Sequence, residues 1–307
     1  MQYLGIRQQI VRNNTKSVLY LLAFPLLILA GTYAVLYMLN DQDIETVNAQ
    51  FLSVVPMVLI GVAIWFVISY FFNTQMIQTA THSRPLERRE NMRVYNLTEN
   101  LCMSVGMPMP KLYIIESDAL NAFASGINQK TFAVTLTRGI INTLNDDELE
   151  GVIAHELTHI RNRDVRLLII TIVFVGIFAT IANIAFRTML NSQLYSSRNR
   201  RNEKGGGGAV VLVVLLVAGV VYFFSILFKL ALSRSREYMA DAGAVEMTHK
   251  SLALANALKK ISGHSTIEGV DNDEVKELFI DYKAEGFFAM FATHPPIRKR
   301  IQVLEQF

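Results

Sequence analysis

This sequence of 307 residues contains little cysteine and little charge. It has a single cysteine, Cys102, which excludes a disulfide framework and a thiolate metal site. Its 29 Lys and Arg residues and 26 Asp and Glu residues leave a net charge of only +3, which does not indicate a nucleic-acid partner. Charged residues make up 18% of the chain and hydrophobic residues 51%, a balance that favours a membrane protein.

Four uncharged hydrophobic runs account for this composition. Each contains 20 to 22 residues, enough for a helix to cross a bilayer core of about 30 Å. The first run is too long for the apolar part of a signal peptide, so we predict a retained anchor. The sequence thus predicts four transmembrane helices, at Ser17–Met38, Phe51–Phe72, Leu167–Phe186 and Ala209–Phe228.

Basic residues around these runs predict an orientation. Arg7, Arg12 and Lys16 precede the first run, the loop after it carries only acidic charges, and four arginines follow the second run. The positive-inside rule therefore places the N-terminus and the segment from residue 73 in the cytoplasm. The loop at 187–208 carries four net positive charges, so the third and fourth runs form either a transmembrane hairpin, which we favour, or a partly re-entrant pair.

The segment His155-Glu156-Leu157-Thr158-His159 is an HExxH motif within a predicted helix. Residues four apart share one helical face, so both imidazoles can bind one metal ion and Glu156 can act on a water bound to it. Asn145 and Glu148 form a capping-box pattern that predicts where this helix begins. An apolar stripe predicts that the helix is packed: Leu149, Val152, Ile153 and Ile160.

Glu237 and Asp241 form a second pair of residues four apart. A glutamate here can complete a zinc site of two histidines and one glutamate, and an aspartate one turn later can orient a ligand histidine through its other ring nitrogen. Alone, the pair would indicate a solvated helix face paired with Arg234 and Arg236. Beside an HExxH motif, we interpret Glu237 as the third ligand.

Taken together, these motifs resemble the HtpX-type membrane metalloproteases, relatives of the CAAX prenyl proteases and of mitochondrial inner-membrane quality-control metalloproteases. The segment HELTHIRNRD at 155–164 is similar to the family's zinc helix, and EYMAD at 237–241 to its third-ligand helix. Asn121-Ala-Phe-Ala124 resembles the edge strand that binds substrate. His294-Pro-Pro and Arg300 resemble a C-terminal element beside the metal.

The resemblance implies a zinc endopeptidase with one zinc ion per chain, held by His155, His159 and Glu237, with Glu156 as general base. It implies that His294 stabilises the oxyanion and that Asp164, Asp241 and Arg300 support the ligands. An extended substrate would pair with the strand formed by Asn121, Ala122, Phe123 and Ala124. The expected substrates are damaged or misfolded membrane proteins, cleaved at the cytoplasmic face of a bacterial inner membrane as quality control under stress.

The predicted fold is α+β and mainly helical, with a small β-sheet beside the zinc helix and four hydrophobic helices. Residues 1–72 form an anchor with two transmembrane helices, and 73–307 form a gluzincin-like catalytic unit interrupted by the hydrophobic hairpin at 167–228. We predict helices at 85–105, 251–261, 273–282 and 296–306, strands at 111–116, 121–125 and 131–137, and a turn at 128–130.

Three other functions remain open at this point. A CAAX-type prenyl-peptide protease would share the zinc residues but usually has more spans. A non-catalytic membrane scaffold would not need a complete set of ligands and a base. A transporter or channel would leave the paired motifs unexplained, and the four runs contain no charged residue to line a pathway.

Overall fold

Two long apolar helices begin the chain in this computed structural model, which describes residues 6–40, 43–169, 187, 219, 235–270, 276, 278–281 and 295–306. Helix α1 runs over Ile6–Leu39 and α2 over Ile44–Thr81. Within them, Ile10–Met38 and Ile44–Ile68 are long and apolar enough to cross a membrane. The first two predicted runs are therefore confirmed as long apolar helices. Of the runs at 167–186 and 209–228, only residues 167–169 and 219 are described.

The chain divides into two compact units. Among the described residues, 18–40 and 43–69 belong to one of them. In this helical unit α1 and α2 contact each other, since the rings of Tyr33 and Phe51 are 5.1 Å apart and the Tyr33 hydroxyl lies 3.0 Å from Asn48 Oδ1. Large apolar side chains are exposed along both helices, including Leu22, Leu26, Leu52 and Ile60. Such a continuous apolar surface is typical of helices that face lipid.

The other unit contains a four-stranded mixed sheet with strand order β1-β2-β4-β3. Its strands are Arg84–Pro85, Lys111–Ile115, Ala122–Ser125 and Ala133–Thr137. Strands β2 and β4 are parallel, whereas the β1–β2 and β3–β4 pairs are antiparallel. The last three strands confirm the predicted ones, and β3 lies at an edge of the sheet as expected.

A loop at 126–132 joins β3 to β4, and it contains a turn closed by the bond from the Thr131 N–H to the Asn128 carbonyl at 2.9 Å. Gly126 begins the loop with φ +101°, and a Cβ at this position would lie 2.3 Å from the carbonyl oxygen of Thr131. Only glycine fits there without displacing the backbone. The Thr131 hydroxyl then accepts from the backbone N–H groups of Ile127 and Asn128, at 3.0 and 3.1 Å. The turn thereby fixes the register of the edge strand.

Six shorter helices with both ends among the described residues accompany this sheet, and residues 164–169 are also helical. The six are α3 (Met92–Ser104), α4 (Arg138–Thr143), α5 (Asp146–Arg161), α6 (Ser235–Thr248), α7 (Ser251–Ile261) and α8 (Ile297–Leu304). Helix α5 packs against α3, α6, α7 and strand β3. It is therefore the central element of this unit. The predicted helices at 251–261 and 296–306 are confirmed. The one predicted at 273–282 is wrong at 278–281, which form a turn and a bend, because the Ile280 N–H donates to the Ala122 carbonyl of β3 instead of to a helical partner; residues 273–275, 277 and 282 lie outside the described residues.

The predicted helix at 85–105 began too early. Pro85 belongs to β1, and the next residue, Leu86, donates its backbone N–H to Leu112 at 2.9 Å. The helix starts at Met92 because the Asn91 side chain accepts from the Val94 N–H at 3.0 Å, which is an N-cap bond. Proline suits both the first turn of a helix and a strand edge, so the sequence pattern alone did not separate them.

Candidate metal centre

The HExxH segment lies in the last two turns of α5. The predicted capping box is present: the Asn145 side chain accepts from the Glu148 N–H, and the Glu148 carboxylate accepts from the Asn145 N–H, each at 2.9 Å. The predicted apolar stripe is buried: Leu149, Val152, Ile153 and Ile160. His155 and His159 are consequently carried on a packed helix, with their ring centroids 4.7 Å apart.

Glu237 comes to both histidines from α6. Its carboxylate oxygens lie 3.5 Å from His155 Nε2 and 3.6 Å from His159 Nε2. The close approach of α6 to α5 depends on Gly243, because a Cβ there would lie 2.5 Å from Thr158 Cγ2. A glycine one and a half turns after the glutamate thus allows the two helices to bring their ligands together.

The donor set fits a zinc ion. Among the described residues, His155, His159 and Glu237 are the group whose ligand atoms all lie within 4.8 Å of one another. The two Nε2 atoms are 3.2 Å apart, so the three separations between ligand atoms span 3.2 to 3.6 Å. Tetrahedral ligands at zinc bond lengths of 2.0–2.1 Å are about 3.3 Å apart. Three protein ligands are also the number found in catalytic zinc sites, which keep a fourth position for water or substrate.

Each histidine ligand has a carboxylate at its other ring nitrogen. His155 Nδ1 lies 3.0 Å from Asp241 Oδ1, and His159 Nδ1 lies 3.1 Å from Asp164 Oδ2. Such partners fix the tautomer with hydrogen on Nδ1, which leaves Nε2 as the metal-binding atom. Asp164 therefore lies behind His159 rather than among the three ligand atoms.

Arg300, on α8, is fully buried at 1% exposure and holds Asp241 with two hydrogen bonds. Its Nε and Nη2 donate to the two carboxylate oxygens at 2.9 and 2.7 Å, and its Nη1 lies 3.3 Å from Glu237. Burial alone would raise the pKa of Asp241, but Arg300 and His155 outweigh it and the pKa falls below its usual value. Burial would lower the pKa of Arg300, but Asp241 and Glu237 raise it above its ordinary value.

Glu156 is also buried, at 2% exposure. Burial disfavours its charged form and raises the pKa of this carboxyl, although His155 and His159 act in the opposite direction. The structure therefore provides a basic carboxylate on the same helical turns as the two histidine ligands.

The residues 121–124 lie at the edge of the sheet beside α5. Asn121 is engaged inside the protein: its Nδ2 donates to the Ser265 carbonyl at 2.6 Å, and its Oδ1 accepts from the Ala122 N–H at 2.8 Å. The Ala122 carbonyl accepts from the Ile280 N–H at 3.1 Å. Phe123 is buried with its ring 5.6 Å from that of Phe279.

His294, the remaining predicted site residue, lies outside the described residues.

One polar residue at this centre was not predicted from the sequence. Asn13, on α1, donates its side-chain amide to Asp164 at 2.6 Å. The only signal was a pair of asparagines, Asn13 and Asn14, just before the first hydrophobic run. Nothing in the local pattern indicates a partner so far along the chain.

A helix carrying HExxH, a glutamate from a second helix and buried partners for both imidazoles define a zinc metallopeptidase. The sequence model of Peptidase family M48 matches residues 88–307 of this chain. The chain is 52% identical to the Protease HtpX homolog of Bacteroides fragilis over 324 aligned positions, covering 100% of both chains. It is 37% identical to the Protease HtpX homolog of Listeria innocua, covering 97% of this chain and 98% of that one.

The chain therefore belongs to peptidase family M48 and is an HtpX homolog, which confirms the resemblance found in the motifs. Among solved structures, the crystal structure of S. mikatae Ste24p aligns with a TM-score of 0.49 and 18% identity, covering 96% of this chain and 67% of that chain. A likeness at this level carries no functional conclusion.

Proposed function

We propose that this M48 zinc metallopeptidase is a membrane-embedded endopeptidase that cleaves damaged or misfolded membrane proteins from the cytoplasmic side of a bacterial inner membrane. The observation that carries the proposal is one chain combining two candidate membrane spans with a two-histidine, one-glutamate centre beside an edge strand. An enzyme anchored in the bilayer meets membrane proteins there at high local concentration.

His155, His159 and Glu237 would hold a zinc ion, which would lower the pKa of water to about 7 and polarise the scissile carbonyl. Glu156 takes the proton of the attacking water and passes it to the leaving amine, a role that suits a buried carboxylate with a raised pKa. Asp241 and Asp164 hold the two imidazoles in the tautomer that directs Nε2 to the metal. The family motif assigns to His294 the role of stabilising the oxyanion of the tetrahedral intermediate. This role needs a hydrogen-bond donor near the reacting oxygen.

Substrate binds as an added strand along β3. Bonds in an antiparallel pair alternate, and Asn121 and Phe123 form the hydrogen-bonded pairs with β4, so the backbone groups of Ala122 and Ala124 are directed away from it. The Ala122 carbonyl already accepts from Ile280. Ala124 is therefore the position where a substrate backbone pairs, and main-chain pairing gives weak sequence preference, as quality control requires.

The proposed topology follows the charges. Residues 1–72 form the anchor, and 73–307 form the catalytic unit, with the segment 167–228 as a hydrophobic hairpin that returns Glu237 to the side of His155. The acidic loop after α1 lies outside the cytoplasm, and the arginines at 84–93 lie inside. Labelling single introduced cysteines from each side of sealed membranes, in a Cys102→Ala background, tests this assignment.

A cleavage assay with the purified full-length chain in detergent tests the function. We expect zinc-dependent hydrolysis of an unfolded membrane protein and little hydrolysis of its folded form. Glu156→Gln should keep zinc bound but lower the rate by roughly two orders of magnitude, the scale of a lost general base. Near-normal rates in this variant would contradict the role of Glu156, and selective cleavage of a prenylated peptide would favour the CAAX-type alternative.

A further inference from the structure

The two histidine ligands are supported by similar chains of contacts. Behind His155, the carboxylate of Asp241 is held by Arg300, which is 59 residues away in sequence. Behind His159, the carboxylate of Asp164 is also held by a distant residue. This residue is Asn13, which lies on α1 and precedes Asp164 by 151 residues in the sequence.

Asn13 is buried, at 2% exposure, and uses both protons of its amide. Its Nδ2 donates to Asp164 Oδ1 at 2.6 Å and to the backbone carbonyl of Asn162 at 2.9 Å. Asn162 is the residue that caps the C-terminal end of α5, where helix carbonyls lack partners within the helix. The amide thus bridges the end of the zinc helix and the aspartate that follows it.

This bridge restrains the Asp164 carboxylate. With Oδ1 held by the amide, Oδ2 is directed to His159 Nδ1 at 3.1 Å. Rotation of the carboxylate would break both contacts at once, and each buried bond lost would leave a polar group unsatisfied. A neutral amide also leaves the negative charge on Asp164, which keeps the imidazole a strong donor of its Nε2 lone pair.

We propose that Asn13 is a positioning residue of the metal centre, acting through Asp164 on His159. The first hydrophobic helix is therefore more than an anchor, because its cytoplasmic end completes one of the two ligand supports. The proposal rests on the metal site of the proposed function but does not depend on the identity of the substrate.

Zinc affinity tests this role without measuring turnover. The full-length chain, purified in detergent and stripped of metal, is titrated with zinc against a chelating dye. Partners behind a ligand typically contribute 10- to 100-fold in affinity, so we expect Asn13→Ala to raise the zinc Kd about tenfold, at the lower end of that range. Asn13→Asp, which keeps the shape but replaces the donors by a second carboxylate, should weaken zinc at least as much.

Asn14→Ala is the matched control. Asn14 is the next residue on α1, and its side-chain oxygen lies 3.5 Å from Arg166 Nη1 rather than on the aspartate. Its zinc Kd should stay within about twofold of that of the unaltered chain, since no ligand support is lost. Unchanged zinc affinity in both Asn13 variants would overturn the proposal, and so would an equal loss in Asn14→Ala.

A double-mutant cycle separates positioning from simple capping of α5. If Asn13 acts through Asp164, then Asn13→Ala should weaken zinc little further once Asp164→Ala is present. Fully additive losses would mean that only the bond to the Asn162 carbonyl matters, and the proposal would fail. This outcome is distinct from failure of the proposed function, which would be a zinc-loaded chain with normal affinity that cleaves no protein.

Discussion

Removal of Arg300 should destabilise the catalytic unit more than any other single change at the metal centre. The guanidinium is fully buried, bonds both oxygens of Asp241 and lies 3.3 Å from Glu237. Arg300→Met keeps an apolar stem of similar length but leaves two buried carboxylates without their cation. Removing one partner of a buried ion pair costs about 3–5 kcal/mol, because the remaining charge is neither solvated nor paired.

The single cysteine offers a local assay for this prediction. Cys102 lies on α3, which packs against α5, and it is 2% exposed. Burial raises the pKa of its thiol to about 11, so the folded protein should react slowly with a thiol-reactive dye. Heating the detergent-solubilised, metal-free chain with such a dye then reports the opening of this unit. A loss of 3–5 kcal/mol should lower the midpoint by roughly 6–20 °C.

Two further variants sharpen the result. Arg300→Lys keeps the charge but loses the two-pronged geometry, so its midpoint should fall between those of the unaltered chain and Arg300→Met. Combining Arg300→Met with Asp241→Asn should recover part of the loss, because one uncompensated carboxylate is removed. A midpoint unchanged in Arg300→Met, or losses that simply add in the double variant, would refute the reasoning.

Three other predictions concern the site. Glu237→Ala should lower zinc occupancy after dialysis, measured by metal analysis; full occupancy with unchanged affinity would place the third ligand elsewhere. Ala124→Pro removes one backbone N–H that is directed away from β4 and is available to a substrate strand. The KM for an unfolded substrate should therefore rise up to about tenfold while the zinc content stays unchanged. An unchanged KM would contradict substrate pairing at this position. His294→Ala should lower turnover about 100-fold while zinc content and thermal stability stay normal; a large stability loss would instead indicate a packing role.

Features determined by local sequence were predicted well. The capping box at Asn145, the helix at 251–261 and the turn after β3 each depend on residues a few positions apart, and the structure contains all three. The three metal-binding residues were also found, because helical spacing places chemically distinctive side chains on one face. The short strand β1 was missed, since its two residues are strand only through pairing with Tyr113 and Ile114.

Long-range polar contacts set the limit of sequence reasoning. Arg300 could be assigned to Asp241 because a family motif already placed it near the metal. Asn13 had no such motif, and its partners lie 149 and 151 residues away. The parallel pairing of β2 with β4 is likewise a property of the assembled sheet and not of either strand. Each of these depends on which segments meet, which one sequence does not specify.

The metal centre draws on residues that are far apart in the polypeptide, and this has a consequence for biosynthesis. Arg300 follows His155 by 145 residues and Asp241 by 59 residues. Chains are synthesised from the N-terminus and domains fold as they emerge, so the contact between Arg300 and Asp241 cannot form until residue 300 has been translated. A nascent or truncated chain without Arg300 would have an unsupported His155 and an uncompensated Asp241, so we expect it to be a poor catalyst. The order of synthesis thus delays assembly of the metal centre until long after the zinc helix has been made.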